Sequence, residues 1–449
     1  MSNSLTQYIS LFEENRDLIC GNSAPALNAP RSEALDIVRS SRLPDKNTEG
    51  FEKTSIEEMF APDYGVNISR VNIPVDVAAS FRCDVPSLST LLAFVINDSF
   101  HPTSKLESKL PEGVIFGSLK RIAEEKPSLI EKYYNTVAPA ENPSVALNTL
   151  LAQDGVMIYV PKGVRVERPL QLVNVFSSPV PLAAFRRILI VLEEGAELQL
   201  LVCDHTQNRD KSYLAAQVSE VILGEGSRLE VCSIEESSEK TSRYSRLFVR
   251  QESGSHFSFN STTLTCGTTR NDFSVSLLGE HCETMLAGMV IGSGKMHVDN
   301  DSDIRHMAPR CHSNQLFKYV LDEESKGAFE GSIFVAPGAR FTEAYQSNRN
   351  ILASTTAKMH CKPQLEIYND DVKCSHGATT GQLDTDALFY MRSRGIPESE
   401  ARTMLMQAFM VDVIDTVHIS GLRERLLHLV DRRFSVTLGD CAGCRSKEC

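Results

Sequence analysis

From about Gly155 onward, apolar residues come in short consecutive runs separated by turns that carry Gly or acidic residues. Met157–Val160 is the first run. Ile188–Leu192 leads through a turn at Glu193–Ala196 to Leu198–Val202. Val221–Leu223 leads through Gly224–Ser227 to Leu229–Cys232, and Leu247–Val249 leads through Ser253–Ser255 to Phe257–Phe259. The unit of strand, turn and strand recurs about every 30 residues, a period that marks a solenoid. A sandwich or a propeller also repeats short strands. The short Gly-centred turns and the consecutive apolar positions favour a mainly β fold with stacked parallel strands, a parallel β-helix. Each coil of such a fold buries its inner face only against its neighbours, so caps are expected at both ends.

The flanking regions have a different texture. Residues 1–150 read as a mostly helical domain, with amphipathic helices at Leu88–Leu92 and Ile122–Tyr134 and loops at Gly21–Pro30 and Leu43–Gly50. Residues 151–380 form the β-helix core. Residues 381–438 read as a C-terminal helical domain serving as the cap. There Asp384 suits an N-cap, Thr385–Arg394 a helix ended by Gly395, and Pro397 the first turn of a second helix running to about Val417. Ala401, Met404, Leu405, Ala408, Phe409 and Val413 form too broad a set for one stripe, so this helix is expected to pack on two sides. Leu422, Leu426, Leu429 and Val430 define a third helix. Residues 439–449 are a Cys-containing tail.

Composition narrows the function classes. The charge of −12, from 46 basic and 58 acidic residues, argues against a nucleic-acid binder, which needs a basic stripe to displace counterions. Glu13, Glu14, Arg16 and Asp17 stand where a signal peptide would be apolar, and no run of eighteen apolar residues occurs, so a cytoplasmic protein without a membrane span is expected. The twelve cysteines are then expected to be mostly reduced. Cys203, Cys232, Cys266 and Cys282 lie in apolar runs and read as buried packing residues. Walker A, GxGxxG, GxSxG and HExxH signatures are absent. Asp299, Asp301 and Asp303 resemble the start of a calcium loop, but Ile304 and Arg310 replace its Gly and its bidentate Glu, so Asp299–Asp303 reads as a solvated turn.

The segment Lys362–Gly381 carries the sharpest chemistry. Cys374 and His376 are two apart, so in an extended strand a thiolate and an imidazole face one side and can address one metal. Lys373 and His376 would lower the thiol pKa, while Asp370 and Asp371 act the other way and could hold the imidazole tautomer by accepting from its ring N–H. Two ligands do not complete a tetrahedral site, and polar packing explains the pair equally well. A second chain would have to supply the remainder.

This stretch resembles the C-terminal signature of the SufB/SufD family of iron–sulfur assembly proteins, and its SufD branch most. The agreement runs through Pro363–Tyr368, Asp370–Thr379, Gly381–Asp384, Leu388–Tyr390 and Ser393–Ile396. It extends more weakly upstream through His306, Ser313, Gln315, Lys318, Gly331, Gln346 and Asn348, then Asp154, Gly155, Tyr159–Pro161, Pro44 and Thr54. The resemblance implies a right-handed β-helix flanked by helical domains. It implies a non-catalytic scaffold subunit in a complex with a SufB-like chain and the ATPase SufC. SufC would contact the helices from about Asp384 to Phe434. Cys374 and His376 would bind iron or a nascent, transient iron–sulfur cluster at the SufB contact, and no nucleotide would bind this chain itself. Where the family pattern usually has Trp, this chain has Phe51. Beyond the resemblance, Cys441, Cys444 and Cys449 suit either a metal or redox triad lacking a fourth ligand or a mobile tail. Two alternatives stand beside the scaffold: a β-helix carbohydrate-active enzyme, for which 7% aromatics and no Trp offer few sugar platforms, and a SufB-like homodimer.

Overall fold

The computed structural model describes residues 3–71, 89–103 and 106–437. Its centre is a β-solenoid of about eight turns. The chain alternates between two sheets, adding one strand to each per coil. One sheet runs from Val156–Val160 through Leu182–Leu192 and Tyr213–Leu223 to Lys358–Ile367. The other runs from Leu170–Phe176 through Glu197–Thr206 and Arg228–Glu236 to Val372–Gly381. Pairing within this stack is parallel and almost without slips. The predicted runs all fall within these strands.

The turns explain the regular stacking. Gly195, Gly226 and Gly254 occupy the same corner in successive coils at φ of 65°, 64° and 67°, a region that favours glycine. Each donates its N–H to a carbonyl of the next corner at 2.8 Å. The inside is filled by alternate residues of both sheets, among them Ile188, Ile190, Leu200, Val221, Val231, Leu247, Phe273, Phe317 and Phe329. Strands buried on both faces need such continuous apolar runs.

The N-terminal region does two jobs. Its helices cover the outside of the first sheet, where Leu5, Tyr8, Phe12, Val38 and Leu150 pack on Phe185, Leu214 and Tyr244. It also extends both sheets. Leu91–Ile96 pairs in parallel with Leu170–Phe176, so the helix expected at Leu88–Leu92 is a strand from Leu91 onward, and Leu88 lies outside the described residues. Tertiary pairing overrides local helical periodicity there, as a β-rich run Leu-Leu-Ala-Phe-Val-Ile permits. The helix expected at Ile122–Tyr134 is two, Leu119–Glu125 and Pro127–Tyr133, because Pro127 disfavours helical geometry at Lys126. The Gly21–Pro30 loop contains a short helix, Pro25–Asn28.

The C-terminal helices are Thr385–Ser393, Glu398–Ile414 and Leu422–Thr437. Asp384 caps the first, accepting from the N–H groups of Asp386 and Ala387. Gly395 follows that helix at φ 89°, as its place in the sequence requires. The second packs on two sides, with Met406, Met410 and Val413 facing both the sheet and Leu426, Leu429 and Phe434 of the third, while Met404 stays exposed. These helices do not cap the end of the solenoid, contrary to expectation. They fold back along the outer face of the second sheet, over Cys232, Ile234, Ala287, Met289 and Val320. Lys318 fastens them, donating to Phe409 O at 2.7 Å and Asp412 Oδ2 at 2.5 Å. The apolar outer face of that sheet leaves them no need to cover the last coil. Among the described residues no helix is long and apolar enough to cross a membrane.

Candidate functional site

The last coil is formed by Lys358–Ile367 and Val372–Gly381, which among the described residues end their sheets with a neighbouring strand on one side only. Cys374 and His376 lie on Val372–Gly381, in register with Ala344 and Gln346. The strand alternates as the spacing required. Val372 and Cys374 turn inward against Val335, Ala339 and Ala344, while Lys373 turns outward and pairs with Glu343 at 2.7 Å. His376 shares the inward parity of Cys374 but is exposed, because among the described residues no further coil lies above it.

The electrostatics of Cys374 differ from the expectation. Burial raises its thiol pKa, opposed by a backbone hydrogen bond from Ala344. Lys373 does not lower it: its ammonium is on the opposite face and is engaged by Glu343.

Beneath His376 the interior is polar. Gln346 and Gln315 stand on the two preceding coils at the same register. Gln346 Nε2 donates to Gln315 Oε1 at 3.3 Å, and Ser302 Oγ donates to the same oxygen at 2.6 Å. Gln346 Oε1 and Gln315 Nε2 are buried without a partner. Cys361 also faces inward on the facing last strand; its thiol donates to Asn348 Oδ1 at 3.0 Å, and burial raises its pKa. Among the described residues no three His, Cys, Asp or Glu side chains come together to hold a metal. This chain thus offers Cys374 and His376 as a partial set at an open end.

Several features escaped the sequence reading. Asp299–Asp303 is not a solvated turn but part of the strand His297–His306. Asp299 is buried, and with Asp272 and Asp301 it surrounds Arg270, each at 2.8 Å. Burial opposes the charge of Arg270, but the three carboxylates outweigh it and raise its pKa. Arg270 also stacks on Phe51 at 4.0 Å and donates to Gly50 O, while Thr54 bonds Asp299 and His297, so this cluster clamps residues 50–54 to the sheet. The alternation of the three aspartates was itself the strand signal. A second feature is an outward ladder of ionisable residues, one per coil: Glu197, Arg228, His256, Glu283, His312, Glu343 and Lys373. His256 Nδ1 lies 2.9 Å from Glu283. A groove of about 610 Å³ runs between this ladder and the connector Asp415–His418. Aligning the turns at the 30-residue period would have found the ladder. Cys203, Cys232, Cys266 and Cys282 are buried, as their apolar runs required. Cys441, Cys444 and Cys449 lie outside the described residues.

Comparison with known proteins gives two family matches that together span most of the chain. Residues 175–409 match the SUF system FeS cluster assembly, SufBD core domain, and residues 2–172 match the SufBD protein N-terminal region. An iron–sulfur cluster assembly SufBD family protein of Synechocystis sp. is 27% identical over 96% of this chain and 98% of its own. The iron–sulfur cluster assembly protein SufD of Bacillus subtilis is 27% identical over 72% and 74% of the two chains. SufD of Escherichia coli is 35% identical over 36% and 39%.

Proposed function

The chain belongs to the SufBD family of iron–sulfur cluster assembly proteins, and from that premise we propose that it is the SufD-like, non-catalytic scaffold subunit of a SufBCD complex. It pairs with a SufB-like subunit through the open end of the solenoid. The observation that carries this reading is the last coil: two strands that end their sheets among the described residues, with Cys374 half-buried and His376 exposed on one of them. Exposed edges of this kind are templates for pairing with another chain.

Cys374 and His376 serve the nascent cluster, which is cargo rather than a resident group. A thiolate and an imidazole suit Fe²⁺, and the partner completes the coordination that two residues cannot. The SufC ATPase docks on the helices between Asp384 and Phe434. Supporting this, Thr385–Ser393 buries none of its residues, and Phe389 and Tyr390 are 72% and 59% exposed. ATP-driven motion of SufC would then open the contact that holds Cys374 and His376. The family relationship favours this reading over carbohydrate chemistry on a β-helix.

Co-expression with SufB and SufC, anaerobic pull-down and iron and sulfide quantitation test the proposal. The Cys374→Ala, His376→Ala double variant should still co-purify with both partners but carry less iron and sulfide. Cluster assembly equal to wild type would remove the two residues from the site. Gel filtration with and without the partners distinguishes the heteromeric scaffold from a homodimer.

A further inference from the structure

Away from the open end, the fold brings one pair of thiols together. Cys282 and Cys311 occupy equivalent corners of consecutive coils. Glu283 and His312, which follow them, are in register, and His312 N donates to Cys282 O at 2.9 Å. Each cysteine follows a residue in the left-handed region, His281 at φ 59° and Arg310 at φ 57°. Both side chains converge: each sulfur lies 3.2 Å from Gly279 O. Adjacent strands stand roughly 4.8 Å apart, inside the roughly 4.4–6.8 Å Cα window of a disulfide. The other buried cysteines lack this arrangement. Cys232 is registered with Leu201 and Asn260, and Cys203 with Ile234 and Val173.

The two thiols are also made unequal. The neighbouring Cys311 thiol lowers the pKa of Cys282 against the opposing effect of burial. The nearness of Cys282, with burial, raises that of Cys311. A thiolate on one can attack an oxidant and the thiol beside it can resolve the product. Both are buried, but the turns above them are exposed at Glu280, His281 and Arg310, so the reagent that fits is small.

We propose that Cys282 and Cys311 form a reversible dithiol–disulfide site whose oxidant is a hydroperoxide. The Cys282 thiolate attacks a peroxide oxygen and the O–O bond breaks. With hydrogen peroxide this leaves a sulfenic acid on Cys282 and releases one water. The Cys311 sulfur then gives up its proton and displaces the hydroxyl as a second water, forming the S–S bond. Two thiols lose two electrons and two protons, and one peroxide is reduced to two waters. The product staples two neighbouring coils at one corner, and a thiol reductant restores it.

Peptide mapping of the full wild-type chain tests this without any variant. The protein is treated with hydrogen peroxide, alkylated under denaturing conditions and digested with trypsin. The expected product is the peptide Asn271–Lys295 linked to Cys311–Lys318, reversed to two separate peptides by dithiothreitol. Cys311→Ser should abolish the link and leave Cys282 as a sulfenic acid trapped by dimedone. Recovery of both residues alkylated under conditions that oxidise Cys374 would overturn the proposal, as would linkage of either one only to a third cysteine.

Discussion

Tyr213–Leu223 and Val372–Gly381 are both long solenoid strands, of 11 and 10 residues, yet every residue of the first is buried and nearly every residue of the second is exposed. The first has a strand on each side, an apolar interior behind it and the N-terminal helices in front. Even its carboxylate is enclosed. Glu220 accepts from the backbone N–H groups of Asn135, Val137 and Ala138 and from Arg187, and neither side chain of this ion pair is exposed. Among the described residues the last strand has one neighbour, and the C-terminal helices lie along the outer face of the second sheet. The solenoid is therefore enclosed where it is stacked and open where its candidate ligands are. An open end has a cost in exposed backbone that a purely structural domain would avoid with a cap.

Breaking the buried side of this contrast should have the largest effect. Glu220→Ala leaves Arg187 charged and enclosed, and should cost about 4 kcal/mol of stability, read as a lower denaturant midpoint. Met410→Ala, in the helix that lies over the second sheet, opens a cavity between them and should cost about 3 kcal/mol. A smaller effect follows from pH. His306 is buried against Ser313, and burial, with His312, lowers its pKa to about 4. Unfolded, it titrates near 6.5. Its folded value is the depressed one, so the unfolded chain takes up the proton first. Its contribution is complete above about pH 6.5 and is lost as pH falls toward 4, about 2 kcal/mol between pH 7 and 5. His306→Gln should flatten that slope in denaturation curves taken across this range. The smallest effect belongs to the open end. His376→Ala should change the stability of the isolated chain by under about 0.5 kcal/mol, because its ring is exposed. A large loss there would mean that the end is structural, and the contrast with Tyr213–Leu223 would fail.

Much of this was legible in the residues. Runs such as Ile188–Leu192 and Leu198–Val202, with Gly195 between them, specify strand, left-handed turn and strand, because few other arrangements satisfy an apolar run and a positive φ. The Cys374–His376 spacing was likewise sufficient to put both on one face of a strand. Leu88–Leu92 was read as a helix because a short apolar run suits helix or strand equally, and the partner of the strand from Leu91, Leu170–Phe176, is about 80 residues away. Asp299 and Asp301 were misread because polar residues look solvated until the cation that neutralises them is seen. Arg270 is on the preceding coil, 29 residues from Asp299.

Local rules of alternation, turn geometry and capping acted within a few residues, so the sequence alone determined the solenoid period, the parity of Cys374 and His376, and the N-cap at Asp384. Stacking brought together residues one coil apart. It decided that Gln315 and Gln346 underlie His376, that Cys282 meets Cys311, and that Glu343 engages Lys373 and keeps its charge away from the thiol. It also decided where the C-terminal helices lie, since their apolar faces required burial but did not name the surface. The open end exists because those helices found the outer face of the second sheet, and that choice belongs to the tertiary structure.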